Sequence, residues 1–307
     1  MHSIRIHEFG GPDVLKLEEQ PVPEPKADEV LIRVHAASVN PVDYKMRNGG
    51  YVPPDQLPLT LGRDISGVVE GVGSNVREFQ ASDAVYAMLP RDRGGYAEFV
   101  AVGVAGCAAK PRQLDHVHAA AVPLAAITAW QGIFDHGGLV DGQSILIHGA
   151  AGGVGHFAVQ LAKAHGATVY ATCSNDDIDF VRGLGADEAI DYKNQRFEEI
   201  ANDIDIVFDL IAGETQDRSW SVLRDGGIIV STLKEPSKEK AARHNARGVH
   251  YMAEPNSDQL AEIGRLIDAG RVRVEVGSVF PLADAAAAER MLENEHVRGK
   301  IVLDVAA

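Results

Sequence analysis

The stretch from Ser144 to Ser174, SILIHGAAGGVGHFAVQLAKAHGATVYATCS, limits what this chain can fold into more than any other. It opens on the apolar run Ile145-Leu146-Ile147, which suits a buried strand. The turn Gly149-Ala150-Ala151-Gly152-Gly153-Val154-Gly155 follows at once. Phe157, Val159, Leu161 and Ala162 then recur at roughly helical spacing up to Gly166, where a helix can stop. Ala167 to Cys173 reads as a second strand. Together these make a βαβ unit with its glycines where dinucleotide binding requires them. Bare of side chains, Gly152 and Gly153 admit a pyrophosphate against the backbone, and Gly155 lets the helix pack closely on the strand. The helix N-terminus after Val154 offers unpaired N–H groups and partial positive charge to phosphates.

Ala150 holds the first place of G-x-G-x-x-G, so the glycines taken alone would also suit an ordinary tight turn. The strand before, the helix after and the second strand favour the cofactor. Length leaves room for one large or two ordinary domains, at 307 residues. A formal charge of −15 argues against nucleic acid or an anionic membrane as main partner. No run approaches the ~20 apolar residues of a membrane span. MHSIRIHEFG lacks an apolar signal core, so the expectation is a cytoplasmic chain. The two cysteines, Cys107 and Cys173, cannot build a disulfide framework or a four-cysteine zinc lobe.

The first third carries short strand signals: Ser3 to His7, Glu29 to Ala37, Gly67 to Gly73, Asp83 to Met88 and Tyr96 to Val102. Their spacing predicts a mainly antiparallel, barrel-like domain. The texture turns to alanine-rich helix after Leu114, and βα alternation persists beyond Ser174. Ala189 to Tyr192, Ile204 to Ile211 and Gly227 to Leu233 read as strands, and Ser257 to Gly270 as an amphipathic helix. The basic segment Lys234 to Gly248 reads as a solvated helix or mobile connection. The tail gives strand, helix and strand.

Several separated motifs now stand in order: SVNPVDYKMRNG, LPLTLGRDISGVVEGVG, GGYAEFV, AAAVPLAAITAW, the glycine turn, GADEAIDY and RGKIVL. In these the chain resembles the zinc-independent medium-chain dehydrogenases/reductases, near quinone oxidoreductases and enone or alkenal reductases. The resemblance implies an α/β protein: a GroES-like, mainly-β barrel domain for the substrate (1–120 and 271–307) and a Rossmann domain with a doubly wound parallel sheet (121–270). It implies that cofactor and substrate meet in the cleft between domains, a usual ligand site. Zinc-dependent relatives place metal ligands where this chain has Asn40, Gly62-Arg63-Asp64 and, approximately, Leu124. Asparagine, arginine and leucine do not replace the Cys and His that zinc prefers. His116 and His118, two apart on a helix, point away from each other and suit surface or capping roles. No metal is expected.

An Asp or Glu ends the second strand in NAD-specific folds. Here Ala171-Thr172-Cys173-Ser174 has no acid before Asp176, which favours NADPH, with Ser174 free to donate to the 2′-phosphate. By the resemblance Tyr192 contributes too, although the position of a family lysine holds Ile178. Gly152, Gly153, Val154, Gly155, Ser174, Tyr192, Thr128 and Thr232 form the expected cofactor set. Without zinc, a donor or cation must stabilise charge that builds on the substrate carbonyl oxygen. Lys45 of the N-P-V-D-Y-K stretch is the candidate electrophile, with Asn40 and Tyr44 beside it and Tyr51 as a further pocket residue. A solvated Lys45 and a helix-capping Asp43 are the plainer readings of the same residues.

The expected activity is NADPH-dependent hydride transfer to a quinone or α,β-unsaturated carbonyl. Two alternatives stand beside it: an NADPH-binding protein with little turnover, and a reductase of another activated double bond such as an enoyl thioester. The latter needs a basic site, for which Arg47, Arg63, Arg91 and Arg93 are available. The partner is a small molecule and a second copy: a homodimer is expected, with Gly227 to Leu233 and Val249 to Met252 as its edge elements.

Overall fold

Alternating apolar and polar residues over the first third become eight strands in the computed structural model, which describes residues 1–306. They are β1 (His2–Ile6), β2 (Lys16–Glu19), β3 (Glu29–Val39), β4 (Leu59–Thr60), β5 (Asp64–Val72), β6 (Ala84–Met88), β7 (Phe99–Gly103) and β8 (Cys107–Ala109). Helix α1 (Pro41–Arg47) links β3 to β4, and α2 (His116–Ala120) and α3 (Pro123–Trp130) follow β8. A parallel array comes next: β9 (Ser144–His148), α4 (Gly155–Ala164), β10 (Thr168–Cys173), α5 (Ile178–Gly183), β11 (Glu188–Asp191), β12 (Ile204–Asp209), α6 (Gly213–Ser219), β13 (Leu223–Ser231), α7 (Lys238–Arg243) and β14 (Arg247–His250). Then come α8 (Ser257–Asp268), β15 (Val276–Pro281), α9 (Ala285–Asn294) and β16 (Lys300–Asp304).

The chain divides into two units. The first holds residues 1–124, 255–269 and those from 274 on. Its sheets run β2-β1-β4 and β15-β16-β3-β5-β6-β8, with β7 also on β3. Among the described residues of this unit β15 and β16 pair in parallel and the other ladders are antiparallel. β3 shows the cause. Val30, Ile32 and Val34 face the core at period two, while Arg33 points to solvent and pairs with Glu70 at 2.6 Å. The returning tail enters this core through Ile301 and Leu303 of β16.

The second unit holds residues 125–254 and 270–273. Its sheet is wholly parallel, ordered β11-β10-β9-β12-β13-β14. Ile145, Leu146 and Ile147 are fully buried, as a strand covered on both faces demands. The chain winds outward from β9 to β11 and restarts at β12. That reversal makes the β9–β12 crevice a topological switch point, where α/β sheets bind ligands.

Two expectations are corrected here, and a third in part. Gly227 to Leu233 is not an edge element, because β13 lies between β12 and β14; the edges are β14 and β11. The basic segment after Lys234 is a largely exposed helix over Lys238–Arg243, as one of its two expected readings has it, but its end is a strand rather than part of that helix. Ser237 accepts the Lys240 N–H and starts α7, and Arg247 to His250 pair with Ile228 to Ser231 as β14. Helix α8 lies in the first unit, where the Tyr86 hydroxyl donates to Leu260 O at 2.6 Å, so the division does not fall at residue 270.

Candidate functional site

The glycine turn caps β9 in the second unit. Gly149 has φ +74°, a backbone favourable to glycine. A Cβ at Gly155 would sit 2.2 Å from Gly149 O and 2.7 Å from Ala150 Cα, so only glycine lets α4 rise this close to the strand end. Gly152 differs. Its φ is not positive, and a Cβ there would meet only Gly149 O, at an ordinary 3.5 Å. Nothing inside the chain requires glycine at 152, whereas a phosphate lying on the backbone would. The Gly152 N–H is given to Gly149 O at 3.2 Å, so the N–H groups of Gly153, Val154 and Gly155, which meet no acceptor among the described residues, form a cradle that fits a pyrophosphate beside the bare Gly152 backbone.

A buried histidine, missed by the sequence reading, braces the turn from beneath. Ser219 Oγ donates to Thr215 O at 2.6 Å, so His148 Nε2 donates to Ser219 Oγ at 2.9 Å. His148 Nδ1 then accepts from Thr172 Oγ1 at 3.0 Å. Burial pushes this imidazole down to about 4, so it is neutral and joins the ends of β9 and β10 to α6.

Ser174 ends β10, but its hydroxyl donates to Asp177 Oδ2 at 2.7 Å, and Asp177 is itself buried. The expected free donor is therefore already engaged. Tyr192 follows β11 and is 58% exposed; its N–H reaches Cys173 O at 3.2 Å, which places it beside the same strand end. Lys193 Nζ lies 5.9 Å from the Tyr192 ring centroid and supplies a cation that position 178 lacks. Thr232 follows β13 and donates its N–H to Asp209 O at 3.4 Å. Thr128 is reached through Tyr251, whose N–H donates to Ser231 O and whose hydroxyl donates to Thr128 O.

The other cluster gathers at the start of α1 in the first unit. Pro41 supplies a fixed φ at the first helical position, and the Asn40 N–H donates to Asp43 Oδ2 at 2.7 Å, half of a capping box. The Asn40 side chain is 1% exposed. Its Nδ2 donates to Asp64 Oδ2 at 2.8 Å, and its Oδ1 accepts from Lys300 Nζ. Asp64 also accepts from Ser38 Oγ at 2.7 Å and from the Leu124 N–H at 2.7 Å. The places that carry zinc ligands elsewhere thus converge here as a hydrogen-bonded network, with the Lys300 ammonium 3.9 Å from Asp64. Zinc does not fit this donor set: it has no Cys or His, both oxygens of Asp64 are taken, and a buried ammonium stands beside it. The second Nδ2 hydrogen reaches Ser38 O at 3.4 Å, so the buried Asn40 amide is engaged within the network at both ends.

Burial dominates the electrostatics of the network. It raises Asp64, lowers Lys300 and, with the Asp64 charge, lifts Asp43 to about 7 despite the Asn40 N–H. Tyr96 also donates to Asp43, at 3.1 Å. At the far end of α1, the buried Arg47 donates to Glu289 at 2.5 Å and to Glu293 at 2.8 Å, both on α9. Between these anchors Tyr44 and Lys45 are half-buried. The Lys45 ammonium makes no hydrogen bond or ion pair among the described residues. From sequence Asp64 stands out only as part of a replaced zinc-ligand motif and Arg47 only as a basic residue, while Glu289 does not stand out at all and Lys300 lies in the RGKIVL motif with nothing to say where it points. His116 and His118 do part, to Ser66 Oγ and Asp115 Oδ1.

Two family models match the chain, an alcohol dehydrogenase GroES-like domain over residues 26–123 and a zinc-binding dehydrogenase domain over 184–303. The mitochondrial NAD(P)H oxidoreductase RTN4IP1 of Mus musculus is 38% identical over 91% of this chain and 82% of its own length. The chloroplastic NADPH-dependent alkenal/one oxidoreductase of Arabidopsis thaliana is 38% identical over 96% of this chain and 77% of its own. The quinone oxidoreductase from Coxiella burnetii superposes with a TM-score of 0.92 at 36% identity, covering 99% of both chains. By motif order, by its two domain types and by these relatives, the chain belongs to the medium-chain dehydrogenases/reductases, within the group of quinone oxidoreductases and alkenal or enone reductases.

Proposed function

We propose that the protein is a zinc-independent reductase that uses NADPH to reduce a quinone or an α,β-unsaturated carbonyl. One observation carries this reading: a glycine turn that fits a dinucleotide coexists with a metal position rebuilt as the Asn40–Asp64–Lys300 network. NADPH, when bound, supplies the hydride. The N–H groups of Gly153, Val154 and Gly155 hold the pyrophosphate, and Tyr192 with Lys193 flanks the 2′-phosphate at a strand end whose nearby acid, Asp177, is buried and engaged by the Ser174 hydroxyl. Lys45 stabilises the negative charge that develops on the carbonyl oxygen. The final proton comes from solvent.

The thioester alternative is less favoured, because three of its four basic residues are engaged within the fold and Arg91 meets only the exposed Tyr51 ring. Arg47 holds α9, Arg63 Nε donates to Leu89 O within the core, Arg93 pairs with Glu29, and Arg91 stacks on Tyr51. The test is oxidation of NADPH and NADH against a panel of quinones, alkenals and cyclic enones, with the zinc content measured alongside. Turnover that prefers NADPH without stoichiometric zinc supports the proposal; one zinc per chain, with activity lost to chelators, defeats it. Ser174→Asp should weaken NADPH binding at least about tenfold by charge repulsion and leave NADH less affected. Equal wild-type affinity for both cofactors by fluorescence titration would remove the argument for NADPH.

We place a homodimer contact at the β14 edge, an exposed row of backbone groups that a second copy would pair. A monomer mass in light scattering at micromolar concentration would refute it. No helix among the described residues is long and apolar enough to cross a membrane. Cytoplasmic residence remains a proposal, since the two relatives above are organellar by name; fractionation of expressing cells tests it.

A further inference from the structure

We propose that Asp209 is a positioning residue for the dinucleotide: its carboxylate holds the loop after β12 in a strained shape that keeps Ile211 and Ala212 beside the glycine turn. The inference rests on the reading of that turn as the nucleotide site.

Ala212 has φ 63° and ψ −163°, a conformation reserved almost wholly for glycine. Such a residue persists only where its surroundings over-determine it, and strained positions of this kind cluster at ligand sites. The determinant here is a single buried group. Asp209 is 0% exposed, and its Oδ1 accepts the Ile211 N–H at 3.0 Å and the Ala212 N–H at 2.8 Å. Its Oδ2 accepts from Gln216 Nε2 and from Ser231 Oγ, each at 2.9 Å. One carboxylate therefore ties the loop to α6 on one side and to β13 on the other.

The loop is held against the turn. A Cβ built on Gly149 would lie 3.1 Å from Ile211 Cδ1, so Ile211 lies over the first residue of the glycine turn. Ile211 is nevertheless 51% exposed, a large apolar side chain left open at the switch point of the sheet. A relaxed Ala212 would redirect the Ile211–Ala212 backbone and move that side chain off the turn. Strain at 212, four hydrogen bonds to one carboxylate and an uncovered apolar side chain beside the turn share one explanation: the loop is fixed in advance for a ligand on the turn.

The full-length chain tests this with NADPH as the fluorescent probe, beside unfolding midpoints. If Asp209→Ala leaves about one molecule in ten with the loop in place, the apparent affinity for NADPH falls about tenfold. Adding Ala212→Gly, which tolerates the required φ, should restore at least a third of the lost affinity. Ala212→Gly alone should raise the unfolding midpoint, because it relieves the strain. Asp209→Asn keeps the Oδ1 acceptor and should fall between wild type and Asp209→Ala; it also serves if the alanine variant fails to fold. A role in stability alone predicts lower midpoints with unchanged NADPH affinity, and that result overturns the proposal. So does an affinity loss that glycine at 212 leaves unrepaired, or a midpoint that falls in Ala212→Gly. A wild-type chain that binds neither NADPH nor NADH would instead refute the nucleotide reading itself and take this inference with it.

Discussion

Lys45→Met should lower the turnover of enones and quinones at least about tenfold while the affinity for NADPH stays unchanged. The lysine sits on a helix fixed at both ends, by Asn40 and Asp43 at its start and by Arg47 on α9 at its finish. Its ammonium has no internal partner among the described residues, so it is available to an external oxygen. A well-aimed donor to a developing oxyanion contributes about 2.7–4 kcal/mol, or 10²–10³ in rate, and a half-exposed one contributes less. Methionine keeps the apolar stem and removes the charge, which separates electrostatics from packing. The glycine turn is untouched, so cofactor titrations should overlay those of the wild type. Wild-type rates in both Lys45→Met and Lys45→Ala would make Lys45 a surface residue. Solvent would then have to carry the oxyanion, since the Asn40 amide is spent on Asp64 and Lys300.

Arg47→Met should cost about 3–5 kcal/mol of stability, because it leaves buried carboxylates without their cation. Arg47 is 1% exposed and Glu289 is 0% exposed, and Glu289 Oε1 already lacks a partner. Burial and the neighbouring Asp43 and Glu293 charges push Glu289 up against the pull of Arg47, so loss of that guanidinium pushes it further toward the protonated carboxyl. That protonation softens the loss without cancelling it. The double change Arg47→Met with Glu289→Leu should recover most of the stability, since replacing a whole buried ion pair by apolar groups is often neutral. Urea unfolding of the full chain measures both. A single variant within 1 kcal/mol of wild type, on the order of a surface pair, would show that the pair contributes no more than an exposed one.

The second unit was legible because its signals are local. The apolar run of β9, the glycine turn and the helix behind it lie within a few residues of one another, and each constrains its neighbours. The alternation that marks β3 is local in the same way. The errors arose where partners are distant in the chain. β13 reads like any apolar strand, and only the pairing of Ile228 to Ser231 with Arg247 to His250 shows that it is interior. The site in the first unit is the clearest case. Asn40 was visible as a replaced metal ligand, but the lysine that takes its amide oxygen stands 260 positions away. The two carboxylates that Arg47 meets are 242 and 246 positions on. No periodicity announces such contacts. Ser174 shows the converse: its position at a strand end was readable, while the direction of its hydroxyl, toward Asp177, depends on how the turn before α5 closes.

The most direct test of hydride transfer is to follow deuterium from NADPH labelled at nicotinamide C4 into a cyclic enone, with a chelator present. The expected product carries one deuterium on the β carbon for each labelled hydride transferred and a solvent proton on the α carbon. Labelled NADPH left unconsumed by every quinone and enone, label lost to water, or turnover that appears only when zinc is added would each contradict the account.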